Sequence, residues 1–181
     1  LWMLFLFTFI VQAISYEFRK KPSNFLGQKT YETFLFINGL FGSLLIGMAV
    51  GTFFTGSQFS VDQIRLTSAA DNVITRWEHP LHGLEALANL QNLLLGLSVF
   101  FLARIQGALY FIDTIDDQTV YQKSRKQVIL NAVPFLLVFI PFMILLLTGE
   151  GFAVNPDTRQ IYMVANKYLI NYLQTPVALI C

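Results

Sequence analysis

Five polar side chains stand at the edge of a long apolar run: His79, His82, Glu85, Asn89 and Asn92. Their types admit three kinds of chemistry. His79, His82 and Glu85 follow one another at intervals of three, a spacing that can ligate haem iron or zinc through imidazole and carboxylate. Glu85 with Asn89 and Asn92 supplies a titratable group followed by hydrogen-bonding groups, which suits a proton or quinone path. The third option is a polar cluster that caps a helix and bonds across to a neighbouring span. On a continuous helix at about 100° per residue, His82, Glu85, Asn89, Asn92, Gly96, Ala103 and Gly107 would share one face. The quinone or proton-path candidates are therefore His82, Glu85, Asn89 and Asn92, with no catalytic residue and no metal site assigned.

Other polar groups offer less. Asp113, Asp116 and Asp117 precede Lys123, Arg125 and Lys126 and read as a solvated, mixed-charge turn. Arg104 is expected to snorkel to headgroups. Asn38 and Asn131 are expected to bond between helices. The sequence has no phosphate-binding glycine loop, nucleophile elbow or zinc-protease motif. The single cysteine, Cys181, excludes an internal disulfide framework.

The elements that must position these groups are membrane spans. Of 181 residues, 55% are apolar and 13% charged, and the run 133–147 carries no charge. That pattern belongs to an integral membrane protein. The fold class is all-α, a transmembrane helical bundle with about three complete spans and partial spans at both ends. The expected spans are 1–15 (partial), 33–55, 81–112, 128–147 and the start of another at 176–181, all in one domain over 1–181. Both ends lie within apolar runs, as in an internal piece of a longer chain.

Pro80 suits the first turn of the third span, where a missing N–H costs nothing. Gly39, Ser43, Gly47 and Gly51 recur at every fourth position and form a small-residue stripe for close helix approach. Pro134 and Pro141 share one face of the fourth span and predict kinks there. Lys and Arg concentrate in the loops 16–32 and 113–127, which places both on the cytoplasmic side. A formal net charge of +1 gives no argument for a nucleic-acid partner.

An ordered set of segments resembles a known family: YEFRKK at 16–21, NG at 38–39, GMAVG at 47–51, Gly56, FSVD at 59–62, His79 with Pro80, GL at 83–84 and QGALY at 106–110. Together they resemble subunit II of the cytochrome bd-type quinol oxidases, the CydB family. The resemblance covers nearly the whole chain.

It implies an eight-span, non-haem subunit paired with a haem-bearing subunit I in the bacterial cytoplasmic membrane, in contact with lipid and quinone. The chain itself would bind no haem, and a bound quinone is compatible with it. The implied role is support of the haem-bearing subunit's assembly, with proton delivery as an addition. At His82 and Glu85 the chain departs from the family pattern, which is apolar there. A different class also fits the composition: a secondary transporter with Glu85 as coupling-ion site.

Overall fold

The computed structural model describes residues 1–22, 24–61, 75–156 and 160–175. The run expected at 176–181 and Asp62 of the FSVD segment lie outside them.

Four long helices carry the fold: α1 (Trp2–Phe18), α2 (Gln28–Thr55), α3 (Leu90–Thr114) and α4 (Gln118–Thr148). Three of them, α2, α3 and α4, are long and apolar enough to cross a membrane, and α1 is a shorter apolar helix. Helix is the form in which apolar backbone satisfies its own N–H and C=O groups away from water. Each helix packs against the next in sequence, α1 on α2, α2 on α3 and α3 on α4.

The polar segments fold too. A hairpin pairs β1 (Phe59–Val61) with β2 (Thr75–Trp77), placing Phe59 opposite Trp77. A second pairs β3 (Gly151–Val154) with β4 (Ile161–Val164). The short helix α5 (Lys167–Gln174) then packs on α4 and β3. These small elements lay beyond the sequence reading, which had spans and loops only.

Helix boundaries differ from the expected spans in two instructive places. The third helix starts at Leu90 and not after Pro80. Pro80 instead sits inside a turn closed by the His82 N–H on the His79 carbonyl at 3.1 Å. The fixed φ of proline serves a turn as well as a first helical residue, so Pro80 alone does not choose between them. Asn89 caps the true start: its Oδ1 accepts the N–H groups of Gln91 at 2.9 Å and Asn92 at 3.3 Å.

The expected loop 113–127 shrinks to a turn at 115–117, because Asp117 caps α4 through the N–H groups of Thr119 (2.7 Å) and Val120 (2.9 Å). Those bonds hold the Asp117 carboxyl below the ordinary aspartate range, Val120 contributing most. Lys123, Arg125 and Lys126 consequently ride on the first turns of a helix.

Close approach is concentrated between α2 and α3. A Cβ on Gly47 would stand 2.8 Å from Gly96 Cα, and one on Gly51 would stand 2.7 Å from Asn92 Oδ1. From the other side, a Cβ on Gly96 would meet Met48 Cγ at 2.5 Å and the Leu44 carbonyl at 2.9 Å. The four-residue stripe is thus used over half its length. Gly39 faces open space, and the Ser43 hydroxyl turns back onto the Gly39 and Leu40 carbonyls.

The helix α4 runs through Pro134 and Pro141 without interruption, with Pro141 exposed and Pro134 half-buried. The most apolar part of α4 is only 11% buried within the chain, against 33% for α2. Most of the surface of α4 is therefore left uncovered by the described residues.

Candidate functional site

The sequence candidates gather at the end of the bundle where α2 finishes and α3 begins, but they do not form one helical face. His82 and Glu85 precede α3: His82 lies in the turn after Pro80 and Glu85 in a short 3-10 segment, Leu84–Leu87. Asn89 is the cap of α3 and Asn92 its first buried residue. The stripe drawn on a continuous helix is corrected accordingly. A chain that turns at His82 and Gly83, with φ of 48° and 92°, cannot keep helical spacing across them.

Asn92 is the centre of the cluster and is 1% exposed. Its Oδ1 accepts the Thr55 hydroxyl of α2 at 3.0 Å, and its Nδ2 donates to the Ala86 carbonyl at 3.1 Å. One amide thereby ties the last turn of α2, the 3-10 segment and the first turn of α3. A buried amide is stable in such a place because each of its polar atoms has a partner.

Glu85 is held from within its own loop. Its Oε2 accepts the Gly83 N–H at 2.8 Å and lies 3.9 Å from His79 Nδ1. The same His79 nitrogen accepts the Leu81 N–H at 3.2 Å, a bond that needs an unprotonated Nδ1. Glu85 Oε1 is buried with no hydrogen-bond partner among the described residues. Beside it opens a cavity of about 480 Å³ lined by Thr55, Gln58, Glu85, Asn89, Asn92 and Phe152.

His82 stands apart, its ring 6.3 Å from that of Trp77, which in turn packs edge-on against Phe59 at 6.0 Å. His82 is accordingly a wall of the aromatic hairpin and not a neighbour of Asn89 or Asn92. The histidines do not converge with Glu85 as a ligand set, and among the described residues no three His, Cys, Asp or Glu side chains do. Glu85, the coupling-ion residue of the transporter alternative, lies in the 3-10 segment before α3 and not on the long helix.

A second polar cluster lies at the opposite end of α3. The Arg104 Nε donates to Asn131 Oδ1 on α4 at 2.9 Å, and the Asn131 Nδ2 donates to the Gln127 carbonyl at 2.6 Å. Arg104 thus bonds across to α4, where snorkelling alone was expected. Asn38 likewise joins two helices, donating to Gln12 Oε1 of α1 at 2.7 Å. The Arg104–Asn131 pairing escaped the sequence reading because it depends on which faces of α3 and α4 meet. The signal that could have found the Asn89 cap is its residue type, asparagine being among the best N-cap residues.

No curated protein matches the chain. The family model for cytochrome bd terminal oxidase subunit II, however, matches residues 1–181. The long apolar helices agree with that match. The chain belongs to the cytochrome bd terminal oxidase subunit II family.

Proposed function

We propose that this chain is the non-haem subunit of a quinol:dioxygen oxidoreductase of the bacterial cytoplasmic membrane and supports assembly of the haem-bearing subunit I. The family match over 1–181 carries the reading. The three long apolar helices agree with a membrane subunit of this kind. In this reading the 16–32 and 113–127 segments face the cytoplasm, where their Lys and Arg residues are favoured. Electron transfer and oxygen chemistry belong to the haem-bearing partner. The residues of this chain contribute scaffold and a polar route at one end.

Proton delivery, or contact with a quinone headgroup, is the second role in the proposal. It rests on Glu85 Oε1, a buried carboxylate oxygen with no hydrogen-bond partner among the described residues, on a side chain that lines the cavity of about 480 Å³. With Oε2 bonded to the Gly83 N–H, Oε1 is the carboxylate oxygen left for a further hydrogen bond.

The test is to purify the tagged protein gently from its native membrane, then record its reduced-minus-oxidised spectrum and quinol-driven oxygen uptake. A co-purifying haem protein with oxygen uptake supports the subunit role; a haem-free, partner-free protein overturns it. Glu85→Gln is expected to lower turnover and proton release while leaving haem content unchanged, whereas His82→Ala leaves turnover unchanged. Full turnover in Glu85→Gln would reduce the cluster to a structural one.

A further inference from the structure

Between α3 and α4, near the turn that joins them, lies a groove of about 320 Å³ whose lining includes Arg104, Gly107, Phe111, Lys123, Gln127 and Asn131. Two cations line it and no carboxylate does. Arg104 is ten residues before the end of α3, hence about 15 Å up the helix from the turn at 1.5 Å per residue. Lys123, near the start of α4, is about 8 Å from the same end. The groove therefore holds one cation close to the membrane surface and one deeper.

The deeper cation lacks a counter-charge. Arg104 uses its Nε on Asn131, and its Cζ lies 5.6 Å from the centre of the Phe100 ring. Its two Nη groups have no hydrogen-bond or ion-pair partner among the described residues. Asn131 is a neutral amide already committed through Nδ2, so it orients the guanidinium without neutralising it. The nearest acids by sequence are Asp113 near the end of α3 and Asp116 and Asp117 in the turn; none pairs with Arg104 among the described residues, and the Asp117 carboxylate is occupied by the Thr119 and Val120 N–H groups. A fixed guanidinium with free Nη groups matches a phosphate geometrically, and a cation at this depth is costly without an anion.

We propose that the α3–α4 groove binds the headgroup of an anionic phospholipid, with its phosphate between Lys123 and the Arg104 Nη groups. Gly107 leaves the space open, since a Cβ there would meet nothing within 4 Å. Phe111 supplies an apolar wall for the glycerol and first acyl carbons. A diffusible phosphate shares the charge but not the apolar part. Basic pockets between membrane helices are a recurrent means of holding acidic headgroups.

The experiment uses the intact oxidase complex exchanged into vesicles of phosphatidylethanolamine with phosphatidylglycerol, then re-extracted, with retained lipid counted by mass spectrometry. Wild type is expected to retain phosphatidylglycerol through detergent exchange. The Arg104→Gln/Lys123→Gln double variant should bind it on the order of tenfold more weakly or worse. Gly107→Leu keeps both charges but fills the groove, and it should show the same loss. If the double variant does not fold, Gly107→Leu and the single Lys123→Gln, at open and exposed positions, decide the matter.

Unchanged retention in these variants overturns the proposal. So does displacement of the lipid by millimolar inorganic phosphate, which would mark a free-phosphate site. Loss of the partner subunit with unchanged lipid would assign the groove to a protein interface and overturn it equally.

Discussion

Two polar side chains on α3 differ in enclosure: Asn92 near its start is buried, and Arg104 past its middle is exposed. At the start of α3, the neutral Asn92 side chain finds partners on two other elements and is buried. Toward its end, charged Arg104 finds a single amide and stays exposed beside a groove. An amide has two donors and a carbonyl oxygen that neighbours can satisfy inside the chain. A guanidinium has five donors and a charge, and only an anion answers the charge. Neutral polarity is therefore satisfied between helices, and the charge is left facing a groove.

The sharpest way to break this contrast is at the glycines that allow the closed seam. Gly47→Leu or Gly96→Leu forces a side chain into backbone only 2.8–2.9 Å away and should cost toward the upper end of about 1–3 kcal/mol each. Thermal unfolding of the purified complex should show it as a clear drop in midpoint. Gly39→Leu, which enters open space, should leave the midpoint nearly unchanged. Equal losses at positions 39 and 47 would remove the distinction between the two halves of the stripe.

The amides come next. Asn92→Ala leaves the Ala86 carbonyl without its side-chain donor and the Thr55 hydroxyl with only the Gly51 carbonyl, with an expected loss of about 2 kcal/mol. Asn131→Ala removes one interhelical bond beside an open groove, where the expected loss is about 1 kcal/mol. The same unfolding measurement compares them, and a larger effect at Asn131 would reverse the assignment of closed and open ends.

The caps are smaller still. Asn89→Ala should cost about 1 kcal/mol, read as faster amide hydrogen exchange in the first turn of α3. Exchange that stayed at the wild-type rate would mean that Asn89 does not hold this helix start.

At the other end, the lowered pKa of Asp117 means that its contribution is fully present above the unfolded aspartate value. It is lost as pH falls through the still lower folded value. Unfolding midpoints should thus decline below about pH 4 in the wild type and decline less in Asp117→Asn. Parallel pH profiles would show that this exposed cap contributes nothing measurable.

The apolar runs were readable from composition because a span must be long and free of charge whatever it packs against. Helices α2 and α4 accordingly cover the expected 33–55 and 128–147 and extend beyond both. The candidate site was legible only in part. Glu85, Asn89 and Asn92 do line one cavity, but His82 packs on Trp77, and the shared helical face vanished with the late start of α3. Periodicity arguments hold only while the helix is unbroken, and Gly83 breaks it.

By itself the sequence determined the membrane class, the number of long apolar helices and a stripe of small residues able to approach closely, while the caps Asn89 and Asp117 read there as parts of a polar face and of a solvated turn. The first three follow from local chemistry: hydrocarbon content and the missing Cβ of glycine. Only the tertiary structure decided that Gly47 and Gly51 meet α3 while Gly39 meets nothing, and that Asn92 is enclosed while Arg104 borders a groove. Those outcomes depend on the rotation and separation of neighbouring helices, which are set by the summed packing of whole faces and by no single residue.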